Sequence, residues 1–218
     1  MLPMSSDESR AGSHPPFWDE RYAAHEHLFG GAPNAFVASE ADRIPRDSEV
    51  LELGAGEGRT LLWLAQERGV HGTAVDFSAE ALQSGAAWAE REGLSMDTVQ
   101  ADVRRWTPPR RWDAVIVTFL HLLPDERPEL YDTIRQSLRP GGMLIAEWFR
   151  PDHLSGDYDR LGPSSADRMV PPEELTAAFA DDEILLCEAA DVELEEGPIL
   201  RGHAAVVRFI VRRASGQE

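Results

Sequence analysis

The stretch that decides the fold is Glu52-Leu53-Gly54-Ala55-Gly56-Glu57-Gly58, a glycine-rich turn directly after a short apolar run. The run, residues 48–53, predicts a buried parallel strand, and residues 60–69 after the turn have helical composition and end at a glycine. The glycines let the backbone turn sharply and approach a ligand at the carboxyl end of the strand. A strand, a glycine turn and a helix are typical of the opening of a nucleotide-binding unit.

The spacing of these glycines argues against two related sites. A dinucleotide site has the pattern G-x-G-x-x-G, and a P-loop has G-x-x-x-x-G-K-[ST]. Here the third glycine is Gly58 and no lysine follows it, since all 21 basic residues of the chain are arginines. Taken alone, the glycines remain compatible with a tight turn that binds no ligand.

Beyond the turn, predicted strands and helices alternate to about residue 149. The further strands are residues 72–76, 96–102, 112–119 and 143–149, and the helices between them are residues 79–92 and 124–138. Ser78 and Gly93 are the expected caps of the first of these helices. Such alternation implies right-handed crossovers. We therefore predict an α/β, doubly wound, Rossmann-like and mostly parallel seven-stranded sheet.

The two flanking segments depart from the alternation. Before the first strand, the apolar spacing of Phe36, Val37, Ala41 and Ile44 predicts a helix that ends near Pro45. After residue 149 come a loop over residues 150–169, a helix over residues 171–179, and two consecutive strands over residues 183–194 and 203–212. Two adjacent strands joined by a short turn predict a hairpin, with one strand antiparallel to the rest of the sheet.

The predicted organisation is one domain with a tail. We expect a disordered tail over residues 1–15 and a single domain over residues 16–213, divided into an N-terminal lid and helix (16–46), a cofactor-binding core (47–149) and a substrate-side loop, helix and hairpin (150–213). A chain of 218 residues suits one sizeable core.

Charge and composition restrict the partners. The formal net charge of −18 repels phosphate backbones and anionic lipid heads, which argues against nucleic-acid and membrane partners. No apolar run approaches the roughly 20 residues of a membrane helix, and the N-terminus lacks the features of a secretory signal. The single cysteine, Cys187, lies in an apolar run, and we predict no metal site. We expect a cytoplasmic protein that acts on a small molecule.

Acidic residues at the ends of the next two predicted strands specify the ligand. Asp76 can accept hydrogen bonds from both hydroxyls of a ribose. Asp102 could accept one from an adenine amino group, while Phe77 and Val103 could flank the ring. Glu52 is a charge inside an apolar run and needs a cationic partner. These residues predict S-adenosylmethionine (SAM), which joins an adenosine to a cationic methionine end.

Further motifs carry a family resemblance. They are Trp18-Asp-Glu-Arg-Tyr22, Phe29-Gly30 with Pro33-Asn34-Ala-Phe36, Glu52 to Arg59, Ala74-Val-Asp-Phe-Ser78, Gln100-Ala-Asp102, Phe119-Leu-His-Leu122, Leu138-Arg-Pro-Gly-Gly142 and Pro172-Glu-Glu-Leu175. From Trp18 to Arg213 the chain resembles class I SAM-dependent methyltransferases, and within them the tellurite-resistance-like and thiol-methylating branch. Where that branch commonly has cysteine and asparagine near the glycine turn, this chain has Ala55 and Thr60.

The resemblance implies two sets of site residues. The candidate cofactor-binding residues are Trp18, Tyr22, Glu52, Gly54, Ala55, Gly56, Asp76, Phe77, Asp102, Val103 and Phe119. The candidate catalytic residues are His121, after the fourth strand, and Arg201 and His203, which match the branch's C-terminal substrate-facing motif. In that motif histidine usually stands where this chain has Leu200. Trp18 and Tyr22 resemble a lid over the cofactor, or else anchor the N-terminal helix.

The predicted function is methyl transfer from SAM, with S-adenosylhomocysteine (SAH) as product, to a small soft nucleophile: a thiol, or a selenium or tellurium oxyanion. Because the methyl group is already activated, positioning alone can supply roughly 7–11 kcal/mol of the barrier, and a dedicated base is dispensable. Two alternatives remain. One is a small-molecule O- or N-methyltransferase with His121 as base, and the other is a non-catalytic SAM-binding module.

Overall fold

The computed structural model describes residues 14–216. Its helices are α1 Pro15–Ala24, α2 Ala35–Ser39, α3 Arg59–Arg68, α4 Ala79–Glu92, α5 Arg127–Ser137 and α6 Pro172–Ala178. Its strands are β1 Glu49–Leu53, β2 His71–Asp76, β3 Met96–Gln100, β4 Trp112–Thr118, β5 Leu138–Phe149, β6 Glu183–Glu196 and β7 Leu200–Arg212. Most of the predicted tail lies outside the described residues, but Pro15, which the prediction included in it, already begins α1. In residues 14–216 no helix combines the length and the apolar character needed to cross a bilayer.

All seven strands form one sheet in the order β3-β2-β1-β4-β5-β7-β6. Strands β1 to β5 are parallel, and β7 is antiparallel to both β5 and β6. The predicted doubly wound, mostly parallel sheet with a terminal antiparallel hairpin is therefore confirmed. The strand order reverses direction between β1 and β4, so a crevice opens at the carboxyl ends of these two strands, where such folds bind ligands.

Both faces of the sheet are buried. On β1, Leu51 and Leu53 belong to one apolar cluster, and Val50 belongs to the cluster on the opposite face. On β4, Val115 lies in the first cluster and Ile116 in the second. This alternation explains why the central strands read as continuous apolar runs: side chains on either face of a parallel sheet pack against helices.

Cap residues set the helix boundaries. For α4 the predicted caps are confirmed: the Ser78 side chain accepts a hydrogen bond from the Ala81 amide (3.2 Å), and Gly93 ends the helix at a φ of +68°. The predicted helix up to Pro45 is wrong in extent, since α2 ends at Ser39 and a short 3-10 helix, Ala41–Arg43, follows. The Ser39 hydroxyl donates to the Phe36 carbonyl (2.7 Å), a local bond that competes with continuation of the helix.

Two predicted boundaries move for similar local reasons. Helix α5 begins at Arg127 and not at residue 124, because the Glu126 carboxylate accepts from the Leu123 amide (2.9 Å) and folds the preceding residues into a turn. Strand β3 ends at Gln100, so Asp102 lies two residues beyond it. The Asp102 carboxylate accepts from the Arg104 amide (3.1 Å), which holds this stretch in a turn and not in the ladder.

Candidate functional site

A cavity of about 550 Å³ opens at the carboxyl ends of β1, β2 and β4. Of the predicted cofactor-binding residues, Trp18, Tyr22, Glu52, Gly54, Ala55, Asp76, Phe77, Asp102, Val103 and Phe119 line it. His121 lines it as well. Residues that are far apart in the sequence thus meet at one place, where the strand order reverses.

The glycine turn is fixed to β2. The amides of Gly54 and Ala55 both donate to the Val75 carbonyl, at 2.8 and 3.1 Å. The carboxylate of Asp76 accepts from the Gly56 amide (2.8 Å) and, with its other oxygen, from the Ser78 amide (2.9 Å). Burial raises the pKa of Asp76, although these amides act in the opposite direction. Asp76 therefore holds the turn and the start of α4 while it lines the cavity.

Asp102 is held by a neighbouring arginine. The Arg104 side chain donates to both carboxylate oxygens of Asp102 (2.8 and 2.7 Å) and also to Glu126 (2.7 Å). Partial burial raises the pKa of Asp102, but the hydrogen bonds from Arg104 outweigh it, so the pKa lies below the usual value. Asp102 is consequently an ionised hydrogen-bond acceptor at the cavity wall.

Glu52 is the best test of whether the predicted cofactor fits. Its side chain is buried inside β1, and one carboxylate oxygen, Oε2, has no hydrogen-bond partner among the residues that the structure describes. Burial raises the pKa of Glu52 to about 8. A buried carboxylate oxygen without a hydrogen-bond partner is unfavourable, and a cation that approaches it removes the penalty. The cationic methionine end of SAM supplies that charge, so the residues present fit this cofactor.

Aromatic residues from the N-terminal segment cover the cavity. Trp18 and Tyr22 of α1 contact the Phe29 ring, with centroids 6.1 and 6.3 Å apart. The Asp19 carboxylate accepts from the Ser78 hydroxyl (2.6 Å) and so attaches α1 to the start of α4. The Tyr22 hydroxyl occupies the space where a side chain on Gly56 would begin.

Gly56, another predicted cofactor-binding residue, lies beneath Tyr22 and is not among the residues that line the cavity. Tyr22 packs over the backbone of Gly56, and the Gly56 amide is already bonded to Asp76. The glycine is needed here because its φ of +55° and the close Tyr22 hydroxyl leave no room for a Cβ atom.

His121 has a fixed tautomer. The chain leaves β4 through Phe119, at a φ of +53°, and His121 Nδ1 lies 3.0 Å from the Arg168 carbonyl. A carbonyl oxygen only accepts, so Nδ1 carries the proton. In the described part of the chain, the buried Nε2 has no hydrogen-bond partner. Burial lowers the pKa of His121 to about 3, which leaves the imidazole neutral and Nε2 a hydrogen-bond acceptor.

Arg201 and His203, two predicted catalytic residues, do not line the cavity. Both are exposed, and His203 contacts the Tyr158 ring with centroids 5.1 Å apart. The prediction that they face the substrate is therefore wrong. Successive side chains of β7 point to opposite faces of the sheet, so Leu200 lies in the cavity wall while Arg201 and His203 lie on the other side.

The sequence-based prediction placed the loop after β5 on the substrate side but named none of its residues as part of the site. Residues 162–165 and Arg168 of this loop line the cavity, together with Phe149 at the end of β5. The Phe149 ring lies 5.5 Å from the His121 ring. Pro163, Ser164 and Ser165 come from a segment without periodic apolar residues, so no pattern in the sequence indicated which of its side chains would face inward.

The core of the chain is similar to known methyltransferases. Residues 50–142 match a family model described as a methyltransferase domain. The Escherichia coli protein YjhP is 25% identical over 179 residues, which cover 80% of this chain and 67% of YjhP. Trans-aconitate 2-methyltransferase from Streptomyces avermitilis is 30% identical over 154 residues, which cover 66% of this chain and 53% of that enzyme. The chain thus spans about half the length of the second relative.

Two solved structures have the same fold. TehB from Haemophilus influenzae superposes with a TM-score of 0.67 at 21% identity, over 81% of this chain and 61% of TehB. A protein solved in work on the conversion of a disulfide bond into a thioacetal group during echinomycin biosynthesis has a TM-score of 0.70 at 22% identity, over 94% of each chain. At these identities the similarity establishes the fold and not the acceptor.

Proposed function

We propose that the chain transfers the methyl group of SAM to a small-molecule acceptor, a proposal supported by the match of its core to a methyltransferase domain and by its similarity to a small-molecule methyltransferase. One observation carries the proposal. A single cavity contains a buried carboxylate, Glu52, whose Oε2 has no hydrogen-bond partner among the described residues, and a neutral imidazole, His121, whose acceptor nitrogen Nε2 is open in the same part of the chain. The first suits the cationic cofactor, and the second suits a protic group on an acceptor beside it.

The cofactor-binding residues are proposed from their position. Asp76 would bind the ribose hydroxyls and Asp102 the adenine amino group, with Phe77 and Val103 against the ring. Glu52 would face the cationic methionine end, beside the backbone of Gly54 and Ala55. When bound, SAM supplies a methyl group activated on a sulfonium. Trp18, Tyr22 and Phe29 would exclude water from it.

The low pKa of His121 favours an acceptor that ionises without help. A general base works best when its pKa lies near the working pH, so a histidine with a pKa of about 3 removes a proton from an alcohol poorly. A thiol has a pKa of about 8.5 in water and loses its proton readily. We therefore propose a thiol as the first acceptor class, with selenium and tellurium oxyanions as further soft nucleophiles. His121 Nε2 would accept a hydrogen bond from the S–H of the bound thiol, which releases its proton to solvent before the thiolate attacks the methyl carbon and SAH leaves.

The second candidate is transfer to a hydroxyl or amine, which the same open Nε2 of His121 favours. A pH–rate profile separates the two classes. With a thiol, the rate should rise with pH through the pKa of the thiol itself. With an alcohol and His121 as base, the rate should stay flat above about pH 4, because His121 is already neutral there.

The test is a panel of small thiols, alcohols, amines, selenite and tellurite, with release of SAH as readout. We expect turnover with at least one thiol, and His121→Ala should lower kcat about tenfold or more while the Kd for SAM changes little. His71→Ala is the matched control, because His71 is exposed at the start of β2. A protein that binds SAM and releases no SAH with any acceptor would contradict the proposal and favour a non-catalytic binding module.

A further inference from the structure

One side of the cavity is apolar. Members of a single apolar cluster line it: Phe29, Phe119, Phe149 and Leu200. The Phe119 and Phe149 rings contact each other with centroids 5.4 Å apart. A ligand in this part of the cavity would therefore meet aromatic and aliphatic surface, which is the usual lining of a small-molecule site.

The order of the strands separates this apolar side from the carboxylates proposed to bind the cofactor. Asp76 ends β2 and Asp102 follows β3, and both strands lie on one side of β1. Strands β4, β5 and β7 lie on the other side. The last residue of β5, Phe149, pairs with Val206 of the antiparallel β7, so the first residues of β7, from Leu200, extend past the carboxyl end of β5. The apolar side is thus the part of the cavity left for the acceptor.

This apolar side adjoins His121, whose Nε2 has no hydrogen-bond partner among the described residues. The His121 ring lies 5.5 Å from the Phe149 ring and 6.5 Å from the Phe119 ring, measured between centroids. An acceptor whose nucleophile lies at His121 Nε2 would consequently place the rest of its atoms against these rings.

The turn before β7 holds the apolar side in place. Glu196, at the end of β6, forms an ion pair with Arg59 of α3, and Gly197 packs on the backbone of Phe29. Ile199 of the same turn lines the cavity and is 37% exposed. A wall fixed in this way is formed before the ligand arrives, which reduces the entropy lost on binding.

We infer that the methyl acceptor carries an apolar group, an alkyl chain or an aromatic ring, that packs against Phe149 and Leu200 while its nucleophile lies at His121 Nε2. The inference rests on the proposed function and narrows its substrate class. Burial of the apolar group supplies affinity, whereas a hydroxyl in its place would lose hydrogen bonds to water. With a thiol acceptor, the thiolate attacks the methyl carbon of SAM after its proton has passed to solvent, and SAH is released.

The experiment compares acceptors of nearly equal size that differ in one terminal group. One pair is butane-1-thiol and 3-mercaptopropan-1-ol, and the other is 4-ethylphenol and 4-(hydroxymethyl)phenol. In each pair a methyl group replaces a hydroxyl far from the nucleophile. The unchanged protein should use the apolar member of a productive pair with a kcat/KM about tenfold or more above that of the polar member.

Ile199→Asn places a polar group on the apolar side and should reduce this preference by about threefold or more. We expect it to raise the KM for the apolar acceptor and to change kcat little, because binding energy away from the reacting atoms is lost. Leu200→Asn should have a larger effect of the same kind. Since Leu200 is buried, melting temperatures report whether this second variant still folds, and the half-exposed Ile199 keeps the test valid if it does not.

The matched control is Ile184→Asn. Ile184, in β6, is 36% exposed, close to the value for Ile199, but it is not among the residues that line the cavity. The control should keep the full preference for the apolar acceptor, and all three variants should bind SAM with the Kd of the unchanged protein. An equal loss of preference in the control would overturn the inference, as would variants at Ile199 and Leu200 that weaken SAM binding and retain the preference.

Failure of the inference differs from failure of the proposed function. The hydroxyls of Ser164 and Ser165 also line the cavity, and a polar acceptor would be directed to them. Equal or better use of the polar members would therefore overturn the apolar acceptor and leave methyl transfer intact.

Absence of turnover with every acceptor would contradict methyl transfer itself. Calorimetric titration of both pairs into the SAH-loaded protein then still tests the apolar side. Tighter binding of the apolar members that Ile199→Asn weakens and Ile184→Asn preserves would support the inference. Equal binding of the two members, or no binding, would overturn it.

Discussion

At the scale of single residues, Asp76 combines support of the backbone with a place in the cavity wall. Its two carboxylate oxygens accept from the amides of Gly56 and Ser78, and the side chain is only 8% exposed. Each carboxylate oxygen has more than one lone pair, so these bonds leave capacity for a ligand. The same geometry that fixes the turn therefore presents an acceptor where a ribose would lie.

Asp76→Ala should lose both functions. We expect the increase in melting temperature caused by SAM to disappear, and the Kd for SAM to rise roughly tenfold or more, because hydrogen bonds to a charged group are lost. The free protein should also be destabilised, by about 1–3 kcal/mol for each buried amide left without an acceptor. Calorimetric titration separates the two effects.

The control for this substitution is Asp97→Ala, since Asp97 is an exposed aspartate on the neighbouring strand β3. It should leave both stability and SAM affinity close to those of the unchanged protein. If Asp76→Ala bound SAM with unchanged affinity, the assignment of Asp76 to the ribose would be wrong, whatever the substitution did to stability.

The sequence predicts some site residues better than others for a physical reason. Asp76 and Glu52 belong to buried strands, where position in the run determines which end and which face a side chain occupies. Arg168 reaches the cavity only because the loop after β5 folds back over it, and nothing periodic marks that path. For Arg201 and His203, the residue types fit the chemistry, but the register of β7 directs them away from the cavity.

At the scale of elements, a buried polar network joins the N-terminal segment to the sheet. The Asn34 side chain donates to Glu147 of β5 (2.8 Å) and to Glu196 of β6 (3.2 Å). Arg59 pairs with Glu196, and Arg208 donates to Glu147 (2.9 Å). Each buried carboxylate thus has a cation and an amide, which is the condition for charges to be tolerated inside a protein.

The turn between β6 and β7 packs directly on the segment that carries Phe29. Gly197 has a φ of +73°, and a Cβ atom there would overlap the backbone of Phe29 and Gly30. Because Phe29 lines the cavity and contacts Trp18 and Tyr22, movement of this turn should alter the cover of the site.

Gly197→Ala tests this coupling, and Gly93→Ala is its control. Gly93 has a similar φ of +68°, but a Cβ atom there would meet open space. Both variants should lose roughly 1–2 kcal/mol of stability from the left-handed backbone. Only Gly197→Ala should lose more than this and also weaken SAH binding, measured by calorimetry. Equal destabilisation with unchanged SAH affinity in both would contradict the coupling between the turn and the cavity.

The order of elements was predictable because the central strands and helices carry their own signals. Buried runs, Ser78 and Gly93 located the core without any tertiary information. The end of α2 and the start of α5 could not be predicted in this way. They depend on side-chain hydrogen bonds of Ser39 and Glu126 that compete locally with the helix. Helix-forming composition continues through both places, so composition alone extends the helices too far.

At the scale of the whole molecule, buried titratable groups act on stability in opposite directions as the pH changes. Burial raises the pKa of Glu52, Asp76 and Glu147, so these groups hold protons in the folded protein that the unfolded chain has released. Burial lowers the pKa of His121 and His153, so these remain neutral in the folded protein where the unfolded chain is protonated. The carboxyl groups make stability fall as pH rises, and the histidines make it rise until the pH passes the ordinary histidine pKa of 6.5.

Above pH 6.5 the contribution of the histidines fades as the unfolded chain loses their protons, and Glu52, whose pKa is about 8, dominates the slope. Between pH 6.5 and 8 the folded protein keeps a proton that the unfolded chain lacks, so we expect the free energy of unfolding of the SAM-free protein to fall by about 1–2 kcal/mol.

Glu52→Gln should flatten this decline, whereas Glu188→Gln, at an exposed glutamate of β6, should preserve it. Saturating SAM should also flatten it, because a cation beside Glu52 lowers its pKa towards that of the unfolded chain. Urea denaturation at half-unit pH intervals measures all four slopes, and a Glu52→Gln slope equal to that of the unchanged protein would show that Glu52 is ionised throughout.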